Sequence, residues 1–265
     1  MTISIGAVGG DGWHAYYSTT GVSVMISAPA VDVNDSNRHY TAKVGGGCMP
    51  INVGTSFATP IISSIVAMML DVNPNLVWQG VQGTLIQSSC PVGAGFWYSN
   101  LYGFGIADAS KAVELLRRLV YDGDKKLIAI DSGDFNTPIH DDVSTETVSI
   151  IKVQRDAKAA KVQRQSSDPF VVEAVEVLLD ISHFSRGDRR ITLTSPAGTE
   201  SLMHPGSLPE NGQLGSDQYW KHMTVRNWGE SPYREWVLKL VNEKAGSFQD
   251  CVDVGGFHLS DQTAL

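Results

Sequence analysis

The hydrophobic period of this 265-residue chain changes near Leu119, and that change limits what each half can fold into. Before it, Thr2 to Val8 and Val22 to Ala28 are short β-branched and apolar runs, and Gly9-Gly10-Asp11-Gly12 lies between them. Such runs, separated by turn residues, predict buried strands. From Ala58 the period becomes helical: Ile61, Ile62, Ile65, Val66, Met69 and Leu70 recur on one spacing until Asn73-Pro74 stops it. Further helices are expected over Leu76 to Ser88 and from the cap-type Asp108 through Leu119. Strands followed by long apolar helices predict an α/β layered unit over residues 1–120.

Residues 121–139 are polar and turn-rich, with Asp122-Gly123-Asp124-Lys125-Lys126 and Asp131-Ser132-Gly133-Asp134, and are read as a linker. Beyond them the signals are all β: Thr145 to Val153, Val171 to Ile181, Arg190 to Thr194, His222 to Val225 and Glu235 to Leu240. Residues 140–265 are therefore expected to form an antiparallel sandwich. The charged run Gln154 to Gln165 reads as a solvated loop.

A net charge of −8 leaves no basic surface to neutralise phosphates, so the chain is not expected to bind nucleic acid. The segment from Met1 to Gly6 has neither a basic region nor a long apolar region, so no secretion signal is read there. No stretch is expected to cross a bilayer. Cys48, Cys90 and Cys251 are too few and too far apart for a disulfide framework or a zinc site. They read as buried free thiols, or as partners of cysteines outside this chain. The sequon Asn34-Asp35-Ser36 is compatible with a secretory origin without deciding the compartment.

The chemistry concentrates at Gly54-Thr55-Ser56-Phe57-Ala58-Thr59-Pro60, directly before the apolar helix. Pro60 is expected in the first helical turn. A helix N-terminus presents unpaired N–H groups and a positive dipole end, which suit an oxyanion forming beside a serine. The plainer reading is that Ser56 caps the helix, as serines in this position commonly do.

Gly54-Thr55-Ser56, with Ala58 and Pro60, resembles the active-site serine motif of subtilisin-like peptidases, which would make Ser56 the nucleophile. Residues Thr2 to Val8, Tyr17-Ser18 and Val24-Met25 resemble strands of that family. Asn73-Pro74-Asn75-Leu76 and Tyr102-Gly103-Phe104-Gly105 with Asp108-Ala109 resemble its kexin and furin branch. Val175-Glu176-Val177, Asp180-Ile181-Ser182-His183, Arg186-Gly187-Asp188 and Met223-Thr224-Val225 with Trp228-Gly229-Glu230 resemble the P domain of proprotein convertases. The chain end, from Gly246 through Cys251, departs from the usual closing strand of that domain.

The resemblance implies a serine endopeptidase acting on polypeptides, in the secretory pathway or outside the cell. It also implies a sandwich that packs on the catalytic domain and stabilises it. A triad in the order Asp, His, Ser places its first two members upstream of Met1. His14 and His39 match no catalytic motif, so this chain by itself is expected to be inactive. No cofactor follows with certainty; calcium is the one the resemblance admits, with its ligands upstream. Asp131, Asp134, Asp141 and Asp142 form no ordered calcium loop. Arg186-Gly187-Asp188 is read as a turn, and Trp220, Trp228 and Trp236 as core or seam residues. The other function class is a non-catalytic remnant whose sandwich serves as an interaction module.

Overall fold

The computed structural model describes residues 2–32, 39–50, 53–92, 97–118, 126–130, 137–139, 145–154, 170–183, 188–206, 215–243 and 250–263. They belong to two compact units, Met1–Gly123 and Asp124–Leu265.

In the first unit, β1 (Ser4–Val8) and β2 (Val24–Pro29) run parallel, with Ile5 opposite Ile26 and Val8 opposite Pro29. Five consecutive residues of β2, Val24 to Ala28, are buried. That is the continuous apolar pattern of a parallel strand covered on both faces. Three helices follow: α1 (Thr55–Val72), α2 (Trp78–Ser88) and α3 (Ala109–Arg118). Helix α1 packs on both strands through Ala58, Ile62, Ile65 and Met69, the buried subset of the helical period. Asp108 caps α3 as its residue type predicts, its Oδ1 accepting the Lys111 N–H at 3.0 Å. That bond, ahead of the Lys111 ammonium, holds the Asp108 carboxyl below the usual range. A short hairpin, β3 (Tyr40–Ala42) and β4 (Cys48–Pro50), turns through Gly45, Gly46 and Gly47, all at positive φ.

The segment from Tyr102 to Ala107 acts as a further strand against β2. The Phe104 N–H donates to the Met25 carbonyl, the Ser27 N–H to the Gly105 carbonyl and the Ala107 N–H to the Ser27 carbonyl, each at 2.9 Å. Gly103 sits at φ +64°, and a Cβ there would stand 2.4 Å from the carbonyl carbon and oxygen of Met25. Gly103→Ala therefore adds left-handed strain to a backbone collision and is expected to destabilise this unit by roughly 3 kcal/mol. Urea unfolding of the variant checks this, and a loss below about 1 kcal/mol would mean that the loop yields instead of clashing.

The second unit is a β-sandwich. One sheet has the order β10 (Glu200–Pro205), β9 (Arg189–Thr194), β12 (Arg234–Asn242), β7 (Thr147–Val153). The other runs β11 (Gly215–Thr224), β8 (Phe170–His183), β13 (Asp250–Thr263), β5 (Lys126–Ile130), with β6 (Thr137–Ile139) also paired to β13. Strict alternation in β7 sends Ile151 and Val153 into a core shared with Val175, Val177, Leu193 and Leu238. Trp236 is fully buried there, and its indole N–H donates to the Pro232 carbonyl at 2.9 Å. Trp220 packs partly buried against the same core.

The architecture is thus α/β followed by an all-β sandwich, with several differences from the sequence reading. Strands β5 and β6 stand inside the stretch 121–139, where short runs such as Leu127-Ile128-Ala129-Ile130 are outweighed by their polar surroundings. Strands β10 and β13 carry no clean apolar signal; β13 contains Gly255-Gly256, at a register shift against β8. Of the stretch from Gly246 through Cys251 that departs from the family pattern, Asp250 and Cys251 open β13, which lies between β8 and β5, and residues 246–249 lie outside the described residues. By length and composition the 18 residues of α1 would also suffice to cross a membrane, but the core helix of a folded unit meets the same measure, and Ala58, Ile62, Ile65 and Met69 pack it on β1 and β2. Its outward face leaves Ile61 37%, Met68 43% and Leu70 39% exposed. The run Gln154 to Gln165 lies outside the described residues except for Gln154 itself.

Candidate active site

Helix α1 starts three residues earlier than its apolar period suggests, which decides the setting of Ser56. Gly54 is the N-cap residue and no side chain caps the helix, so Ser56 is the second helical residue and not its cap. The Gly54 carbonyl accepts the Phe57 N–H at 3.1 Å. The N–H groups of Thr55 and Ser56 precede the first carbonyls that the helix can offer them. The Ser56 side chain is exposed.

Gly54 has φ +145°, and a Cβ on it would come 3.2 Å from the Ser56 hydroxyl oxygen. The glycine thus serves both a strained turn and free space beside Ser56. Pro60 lies inside the helix, beyond the first turn where it was expected. With no N–H of its own, it cannot pair with the Ser56 carbonyl as an ordinary residue would. The hydroxyls of Thr59, Ser63 and Ser64 bond back to the Thr55, Thr59 and Pro60 carbonyls.

Tyr17, quoted above only for its likeness to a family strand, is a neighbour of this turn. Its hydroxyl donates to the Val31 carbonyl at 2.7 Å. Burial raises the phenol's pKa, the nearby Gly54 backbone opposes that, and the Asp32 carboxylate and Tyr16 add to it. A hydroxyl bonded to a carbonyl 14 residues away leaves no local pattern from which to find it.

Neither histidine is hydrogen-bonded to Ser56. The backbone N–H of His14 donates to the Tyr102 hydroxyl at 2.9 Å, and its ring meets that of Tyr102 edge-on at 6.0 Å. Burial lowers its pKa, against a smaller raising effect of Asp32. The His39 Nε2 is enclosed without a hydrogen-bond partner.

Cys48 is exposed on β4 and Cys90 is partly buried, both as free thiols, so the buried-thiol reading fails for Cys48. The Cys90 sulfur lies 3.1 Å from the Lys111 ammonium. Among the described residues, no group of three or more His, Cys, Asp or Glu side chains is placed to hold a metal ion. Asp131, Asp134, Asp141, Asp142, Arg186, Gly187, the sequon and the Cys251 side chain lie outside the described residues.

Residues 1–105 match the subtilase family, and residues 172–252 match the proprotein convertase P-domain. PC3-like endoprotease variant B of Hydra vulgaris is 30% identical over 258 residues, covering 91% of this chain and 35% of that protein. The dibasic-processing endoprotease of Schizosaccharomyces pombe is 30% identical over 265 residues, covering 93% and 35% respectively. Human proprotein convertase subtilisin/kexin type 6 is 29% identical over 251 residues, covering 90% of this chain and 25% of its own length. The chain thus spans about a third or less of these relatives. The crystal structure of a serine protease of Aeromonas sobria matches with a TM-score of 0.73 at 18% identity, over 98% of this chain and 57% of that one. At that identity the likeness concerns the fold alone.

Proposed function

Because this chain belongs to the subtilase family, in its proprotein convertase branch, we propose that it is the serine-bearing part of an endopeptidase that cleaves polypeptides through an acyl-enzyme. In this reading residues 1–120 are the C-terminal part of the peptidase domain and residues 140–265 are the P domain. The observation that carries it is the setting of Ser56: exposed, at the second position of α1, and free of any capping duty. Its hydroxyl oxygen attacks the scissile carbonyl and forms the acyl bond as the amine leaves. The developing oxyanion meets the N–H of Ser56 and the positive end of α1. A histidine must take the serine proton and an aspartate must hold that histidine, and both come from an upstream segment of the peptidase domain. The sandwich contributes stability and not substrate contact.

A fluorophosphonate probe tests this reading, because it reacts with a serine only where a base activates it. The 265-residue chain alone is expected to remain unlabelled. The same chain carrying an upstream subtilase segment with Asp and His is expected to be labelled stoichiometrically at Ser56. Labelling of the chain alone would point to His14 or His39 as the base. Absence of labelling in the extended protein would favour the non-catalytic remnant.

A further inference from the structure

Among the described residues, Arg234 alone stands at positive φ without being a glycine: it opens β12 at φ +102°, a conformation that side chains rarely adopt. Its neighbours hold it there. Tyr233 packs against the core of the sandwich, and the buried Trp236 reaches back with its indole N–H to the Pro232 carbonyl. Backbone strain that surrounding packing keeps in place tends to sit where a side chain has a task. The Arg234 side chain is exposed and, among the described residues, has no ion-pair partner.

Arg234 lines an open groove of about 630 Å³ on the sandwich. One wall is the end of β7, where Val153 lies opposite Arg234 and Lys152 opposite Glu235 in the ladder. The facing wall is the turn from β9 to β10, and it is fixed. Its Ser195 N–H donates to the Thr199 carbonyl at 3.0 Å, and the Thr199 N–H donates to the Ser195 hydroxyl at 3.2 Å. Pro196 and Val237 supply apolar surface, and Val237 continues onto its ladder partner Ile150, which is 47% exposed.

Charge and apolar surface together select the occupant. Lys152 pairs with Glu235 at 3.1 Å, but both side chains are more than half exposed, and such a solvated pair is weak enough to be exchanged for a ligand carboxylate. The sequence that continues from Gln154 carries Arg155, Lys158, Lys161 and Arg164 against Asp156 as far as Gln165. Lying outside the described residues, these bear on the groove only through their charge. The whole chain carries −8, yet screening over about 8 Å at physiological ionic strength leaves the local cations to decide what binds. A polyphosphate would use those cations and leave Pro196, Val237 and Ile150 uncovered. A peptide with both acidic and apolar side chains uses all of them.

We propose that this groove binds an acidic segment of a partner protein, its Asp or Glu carboxylates meeting Arg234 and Lys152 and its neighbouring apolar side chains covering Pro196, Val237 and Ile150. A guanidinium offers parallel N–H donors that match a carboxylate, which suits Arg234 to the central contact. The site belongs to the sandwich and stands whether or not Ser56 is a nucleophile.

The probe is a capped hexapeptide of two leucines flanked on each side by two glutamates, titrated calorimetrically into the 265-residue chain. It is expected to bind, while the twin with lysines in place of the glutamates is not. Arg234→Gly and Arg234→Gln should each weaken binding by at least about tenfold. The glycine variant should melt at or above the wild-type temperature, because glycine relieves the positive φ. Glu235→Gln should act in the opposite direction and tighten binding by about threefold, since it frees Lys152 and removes a like charge. Amide shifts on binding should centre on residues 195–198 and 234–237. No binding of the glutamate peptide to wild type, equal binding of its lysine twin or of inorganic tripolyphosphate, or unchanged affinity in both Arg234 variants would overturn the proposal.

Discussion

Ser56→Ala is expected to reduce peptide hydrolysis by on the order of a millionfold in any protein that joins this chain to an upstream Asp and His. Nothing in the fold should suffer. Ser56 is exposed, the helix cap is Gly54, and no side-chain cap bond is lost with the hydroxyl. Alanine also has the better helix propensity, by a few tenths of a kcal/mol. The variant should therefore melt at or slightly above the wild-type temperature while its kcat collapses. The combination discriminates, because a capping serine gives the opposite pattern: a loss of about 1 kcal/mol in stability and little effect on rate. Activity retained above about one per cent would place the nucleophile on another residue.

Lowering the pH is expected to destabilise the sandwich through His222. The ring is buried and packs on Trp220 with centroids 4.3 Å apart, with His204 at 6.1 Å. Its Nε2 is enclosed without a hydrogen-bond partner, and its contact with the Met203 backbone gives only limited support to the charged form. Across the β11–β8 pairing His222 faces apolar Val177, and the nearby Glu176 is engaged with Lys221 at 2.7 Å. Burial first, and the His204 ring second, push the His222 pKa from 6.5 down to about 4.

A folded-state pKa below the unfolded one means that the folded form resists taking the proton. The stability is fully present above pH 6.5, declines as the pH falls toward 4, and levels off below that. A depression of about 2.5 units at 1.36 kcal/mol per unit corresponds to about 3 kcal/mol. For a domain of this size that is a loss of roughly 10 °C in melting temperature. His222→Phe keeps an aromatic ring and removes the titration, so its stability should fall less than that of wild type between pH 7 and pH 4. Parallel pH profiles for the two proteins would show that the acid sensitivity comes from other groups, such as the carboxylates.

Local patterns explain much of what the sequence disclosed. The apolar period from Ile61 to Leu70 exposes α1 because a buried helical stripe must recur with the helical turn. The cap at Asp108 is legible because its carboxylate serves an N–H only three residues away. Strands such as β7 and β12 are legible because alternation follows from one buried face. The start of α1 was less visible: Thr55, Ser56 and Phe57 fall outside the apolar period and belong to the helix through backbone bonding.

The sequence by itself therefore determined the two-part architecture and pointed to Ser56, since period, cap and motif are properties of neighbouring residues. The tertiary structure decided the rest. It put Gly255-Gly256 into a strand between β8 and β5, where pairing with neighbours outweighs the poor strand preference of glycine. It enclosed the His222 ring beside Trp220 and His204, where removal from water changes the balance of its proton. It also brought the Tyr17 hydroxyl to the Val31 carbonyl, because a hydrogen bond depends on distance in space, and distance along the chain carries no record of it.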